Sequence, residues 1–186
     1  MASATITADR PIRFRFAARK ALAAVCWMLR EDPGLDLHTI LKAAYFADRA
    51  HLNKHGRPVF GARYKAMKFG PVPVELYEML KGEPYWLPEL GRDDYPWRLT
   101  GHRVYPHGGE QAVDQHVSAS DWQAITEGLA MSRSMTFDER TAATHGPDWQ
   151  RATLGWMDYA DMVEADRPNR DELIRELRMI APRLAL

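Results

Sequence analysis

The chain has 186 residues, 46% of them hydrophobic, enough for one domain with a sizeable core. Lys plus Arg and Asp plus Glu number 25 each, so the net charge is zero, which argues against a general phosphate-backbone binder and makes nucleic acid a poor candidate partner. The one cysteine, Cys26, excludes an internal disulfide, and neither a membrane span of ~20 apolar residues nor a secretory signal is visible, so a cytoplasmic protein is expected.

Residues 1–11 read as a flexible N-terminal tail ending at Pro11, and 12–186 as a single domain. The basic cluster Arg10, Arg13, Arg15, Arg19 and Lys20 reads as a solvated helix start. Phe14, Ala18, Ala21, Leu22, Val25, Met28 and Leu29 recur at three- and four-residue steps, which predicts an amphipathic helix closed by Asp32-Pro33-Gly34. A second helix is predicted from Leu37 to Lys54 with Gly56 as its stop. Asp48 falls on the apolar stripe of that helix, where a carboxylate is costly unless it is paired or hydrogen-bonded. A satisfied structural Asp and a general base are both open at this point. His51 and His55 share a helix face, but no third ligand accompanies them, so no metal or other cofactor is expected.

Arg63 to Phe69 reads as a strand, and Gly70-Pro71 as a corner into a short helix that Pro73 opens and Gly82 closes. One glycine followed by a proline, which lacks an amide donor, is no phosphate cradle. Trp97-Arg98-Leu99 and Arg103-Val104-Tyr105 flank Thr100-Gly101-His102 as a hairpin, and Val113 to Val117 reads as a further strand. With Tyr64 to Phe69 these would form one small antiparallel sheet. Capping boxes are predicted at Ser120/Gln123 and Thr136/Glu139, a cap at Asp148, a helix over Tyr159 to Ala165, and a final helix capped by Asn169 with Glu172, its stripe being Leu173, Leu177, Ile180 and Leu184. The expected fold class is α+β, mostly helical, with that small sheet.

The ordered set Leu41-Lys42, Tyr45, His51-Leu52, Gly56-Arg57-Pro58 and Tyr64 through Pro71, followed by Thr144-His145 with Trp149, resembles the Panacea domain of SocA-like antitoxins. The likeness runs from about Phe14 to Thr153, with one departure: the family's Pro-Ala step before the tryptophan is Pro147-Asp148 here. The resemblance implies that 12–186 is a Panacea-like antitoxin domain. It also implies a bacterial antitoxin of a toxin–antitoxin pair, not an enzyme, that neutralises its cognate protein toxin by direct contact. In the SocA type it implies a proteolytic adaptor that delivers the toxin to the ClpXP protease. Asp48, His51, Gly70, Pro71, His145 and Trp149 then read as structural members of the motif.

Protein interfaces favour aromatic anchors. Tyr85, Trp86, Tyr95 and Trp97 lie in a proline-rich stretch and are the first candidate contacts for a partner, unless they fold back over the sheet. The edge formed by Lys65, Lys68 and Phe69 is the second. Two other readings stay open: a hydrolase-like enzyme using Asp48, His51 and His145 in an apolar pocket, and an interaction module with no toxin partner.

Overall fold

The computed structural model describes residues 10–108 and 114–186. Residues 1–9 of the expected tail lie outside that range. The domain takes hold of the chain at Ile12, which is buried and donates its amide to Asp158 Oδ1 at 3.1 Å. Phe14 and Phe16 are buried ahead of any helix, so the first helix, α1 (Ala18–Glu31), starts later than its apolar pattern does.

The centre of the fold is α2 (Leu37–His55). Asp36 caps it by accepting from the Thr39 amide, and Gly56 ends it in the left-handed region at φ 73°. Ala43, Ala44 and Ala47 have no exposure at all, because small side chains let the neighbouring elements approach the helix from several sides. α5 (Ala119–Arg133) crosses it at Gly128, where an added Cβ would lie 2.5 Å from the Ala43 carbonyl oxygen.

The sheet expectation is corrected in two ways. First, there are two antiparallel sheets. One orders β1 (Leu35–Asp36), β5 (Arg103–Pro106) and β4 (Trp97–Thr100), with β4 and β5 forming the hairpin predicted around Gly101. The other pairs β2 (Tyr64–Met67) with β3 (Gly70–Pro73). Second, Gly70-Pro71 is therefore the start of a returning strand, not a strand-to-helix corner, and α3 (Val74–Lys81) follows only after Pro73. The expected strand at 113–117 is a 3-10 turn over Asp114–His116, with Val113 outside the described residues.

Between α3 and β4 the chain forms a short helix, α4 (Leu87–Leu90). The C-terminal part runs through α6 (Phe137–Ala143), α7 (Pro147–Gln150), α8 (Tyr159–Met162) and α9 (Arg170–Ile180). The Thr136/Glu139 capping box is present at α6. The other expected box moves two residues back: Ser118 caps α5 and pairs with Asp121. Gly146, not Asp148, occupies the cap position of α7, and Asn169 stands at the start of α9 at φ 56° without a side-chain cap bond. The inward face of α9 is Ile174 and Leu177, with Ile180 turned outward. The α+β, mainly helical architecture stands. Among the described residues no helix is long and apolar enough to cross a membrane.

Candidate functional site

Four polar residues on α2 sit three apart: Lys42, Tyr45, Asp48 and His51. Each step of three falls about 60° short of a full turn, so the four side chains wind halfway round the helix. All are buried, and each binds a different segment of the chain. Lys42 Nζ donates to the Pro71 carbonyl of the β2–β3 hairpin at 2.8 Å. The Tyr45 hydroxyl donates to Asp148 Oδ2 on α7. Asp48 Oδ1 accepts from the amides of Val59 and Phe60 at 2.8 and 2.7 Å. Its Oδ2 lies 3.0 and 3.2 Å from the hydroxyls of Tyr64 and Tyr159, which share their protons with the carbonyls of Ala44 and Ala62. His51 Nδ1 meets the Arg57 carbonyl at 2.8 Å, and its Nε2 meets the Ser120 hydroxyl at 3.1 Å.

Burial raises the Asp48 pKa to about 6 against the pull of its four donors. Burial, then the charge of Arg140, lowers the Lys42 pKa to about 7. Near His51, Asp121 is fully buried between Lys20 Nζ at 2.6 Å and Arg57 Nη1 at 2.9 Å. Burial alone would raise its pKa, but the hydrogen bonds from Lys20, Arg57 and Ser118 prevail and hold it at about 2.

The residues of the enzyme reading are not brought together. No hydrogen bond joins any two of Asp48, His51 and His145, and Asp48 opens on no cleft. His145 instead stacks on Trp149 with centroids 3.9 Å apart. Trp149 Nε1 donates to the Met67 carbonyl at 3.1 Å, so this pair braces β2. Among the described residues no cluster of His, Cys, Asp and Glu could hold a metal ion. His51 and His55 stack on each other, centroids 4.4 Å apart.

Of the first set of partner candidates, two are interior, which corrects their assignment as partner contacts and agrees with the fold-back alternative. Tyr95 and Trp97 are 2% and 1% exposed and stack at 5.2 Å. Their polar ends reach the carbonyls of Glu83 and Met79, which is why prolines nearby did not keep them outside. Trp86 is half-buried against Phe16, and Tyr85 alone is well exposed.

The second set lies on a groove of about 800 Å³ between the start of α2, the β2–β3 hairpin, α3 and the tip of α6. Leu37, Leu41, Val72 and Tyr77 line it, and Met67, Phe69 and Phe137 stand exposed at its edge. Phe69 and Phe137 meet edge to face at 5.2 Å. Lys65 and Lys68 stand on the rim, and among the described residues neither has an ion-pair partner. His38 in the wall receives Arg140 Nη1 on Nδ1 at 3.2 Å and faces the Phe69 carbonyl with Nε2 at 3.1 Å. Arginine cannot accept and a carbonyl cannot donate, so the proton is on Nε2. Burial and the charges of Lys42 and Arg140 lower the His38 pKa to about 4, so the ring is neutral. No residue pattern announced His38 or Phe137 in the sequence, because only the fold brings them within 4.3 Å.

Gly70 opens β3 in close contact with Thr144 and Lys42. Its φ is 94°, and an added Cβ would stand 2.3 Å from Thr144 Oγ1 and 3.0 Å from Lys42 Cε. Gly70→Ala is therefore expected to cost about 2–4 kcal/mol, from left-handed strain plus overpacking. A urea midpoint within error of wild type would show that the hairpin has room to move.

The family model of SocA-like antitoxins, the Panacea domain, matches residues 40–150. No curated protein and no solved structure matches the chain. The match covers more than half of the chain and includes every polar anchor on α2, the β2–β3 hairpin and the His145–Trp149 stack. This chain belongs to the SocA-like, Panacea-domain antitoxin family.

Proposed function

We propose that this member of the antitoxin family neutralises a cognate protein toxin by direct contact, and that the contact surface is the groove at the β2–β3 hairpin. The family match supports the antitoxin role. The observation that carries the groove is the grouping of Met67, Phe69 and Phe137, each between 44% and 47% exposed, around an apolar hollow. Large apolar side chains left in water at one place mark an interaction surface more often than a random surface does. The polar anchors on α2 make the hairpin a rigid platform, which lowers the ordering cost of binding.

In this reading α2 and its ties are scaffold, and neutralisation is occupancy of the toxin by a folded partner. Delivery of the captured toxin to ClpXP is a separate step that would act on the same complex. The test is co-expression. A toxin reading frame adjacent to this gene, induced alone, is expected to arrest growth, and co-induction with this protein is expected to restore it. Arrest that persists at matched expression levels would remove the antitoxin reading. Rescue that depends on the protease and is accompanied by loss of the toxin would identify delivery as the operative step.

A further inference from the structure

The charge around the groove is one-sided. Lys65 and Lys68 stand on the rim without ion-pair partners among the described residues, and the buried Lys42 in the lining is tied to the Pro71 carbonyl. Arg140, 6% exposed, stands behind His38. Its Nε is buried without a hydrogen-bond partner. Against the two rim lysines and Arg140 the wall supplies one carboxylate, Asp36. That carboxylate is engaged by the Thr39 amide and hydroxyl and lies 3.7 Å from Arg140 Nη1. The Lys68 ammonium sits over the Phe69 ring at 5.2 Å, which holds it beside the apolar surface instead of trailing into solvent, and that of Lys65 lies over the neighbouring Trp156 ring at 5.7 Å. In a chain of zero net charge, this face is locally basic.

We infer that the groove takes an acidic, amphipathic segment of the toxin, with apolar side chains seated on Met67, Phe69, Tyr77 and Phe137 and carboxylates paired with Lys65 and Lys68. This rests on the antitoxin reading above and specifies the chemistry of the partner. The lining decides against a nucleic acid, whose phosphates would gain nothing from so apolar a hollow. Opposite charges across the rim would steer the encounter and set the register, while the apolar centre would supply most of the affinity. Backbone pairing plays no part, since β3 carries prolines at positions 71 and 73 and its strand partner is β2.

The test uses the purified toxin and this protein, titrated by calorimetry. Lys65→Glu with Lys68→Glu is expected to weaken Kd by roughly 10- to 100-fold, and Phe69→Ala with Met67→Ala by at least about tenfold. Arg175→Glu, an exposed charge reversal on α9, is expected to leave Kd unchanged. Raising salt is expected to weaken wild-type binding and to affect the Lys65→Glu, Lys68→Glu variant little. Each variant is checked for an unaltered melting curve. A benzoylphenylalanine placed at Tyr77 is expected to crosslink to a toxin peptide that holds Asp or Glu beside apolar residues. A complex whose Kd ignores both groove variants, or a crosslinked peptide that is basic, would overturn the inference and leave the antitoxin reading intact. Absence of any complex would remove the antitoxin reading, and this inference with it.

Discussion

Asp48→Ala is expected to destabilise the fold by roughly 3–5 kcal/mol, a large part of the ~5–15 kcal/mol that holds a typical domain together. Among the described residues the side chain is the only acceptor for the Val59 and Phe60 amides, and truncation leaves both donors buried and unpaired. The Tyr64 and Tyr159 hydroxyls suffer less, because the Ala44 and Ala62 carbonyls remain within reach. Asp48→Asn is expected to cost far less. Its carbonyl oxygen still accepts from the amides, and its NH2 donates to the phenol oxygens. Chemical denaturation of the two variants checks this. Equal losses would mean that the negative charge, not the acceptor, stabilises the site.

The pH dependence at Asp48 has an unusual sign for a carboxylate. Its pKa is raised from 3.8 to about 6, so the folded protein holds the proton more tightly than the unfolded chain does. The corresponding stability is fully present below pH 3.8 and is lost as pH rises through about 6. Asp48→Asn cannot ionise and is expected to flatten that part of the profile.

Asp121→Ala is the second large effect, also roughly 3–5 kcal/mol, for a different reason. Lys20 is 4% exposed, and its ammonium is hydrogen-bonded to Asp121. Removing the carboxylate strands a buried cation and leaves Arg57 without its 2.9 Å partner. A second change, Lys20→Met, is expected to restore much of the loss, because it removes the stranded charge and keeps the packing volume. A double-mutant cycle with a coupling near zero would show that the pair is not an energetic unit. The sign of the pH effect is opposite to that at Asp48. The Asp121 pKa is depressed from 3.8 to about 2, so its contribution is present above pH 3.8 and disappears as pH falls through about 2. Two buried carboxylates on neighbouring parts of the fold thus shape opposite sides of the acid range.

Local chemistry explains what was legible in the sequence. α2 and its Gly56 stop, the hairpin around Gly101, and the Thr136/Glu139 capping box each depend on residues a few positions apart, and all appear where their patterns put them. Asp48 was marked because a carboxylate on an apolar stripe needs partners, but those partners come from residues 59, 60, 64 and 159, which no periodicity connects. The β2–β3 hairpin was hidden because Pro71 and Pro73 read as a helix entrance. In the fold they occupy a strand that accepts a lysine on its carbonyl. The aromatics of residues 83–97 were open between a partner contact and a fold back over the sheet; Tyr95 and Trp97 are interior because backbone carbonyls of the preceding segment satisfy their polar ends. The groove was half legible. Lys65, Lys68 and Phe69 form one continuous edge in the sequence, but the facing His38 and Phe137 arrive from distant elements.

The proposed neutralisation rests on one physical event: a folded partner held at the groove. The most direct measurement is a titration of purified toxin into this protein, followed by light scattering on the mixture. A defined stoichiometric complex that survives chromatography, and is lost on combined substitution of Phe69 and Met67 by alanine, is expected. A toxin that is neutralised in cells but forms no complex with the pure protein would contradict neutralisation by contact.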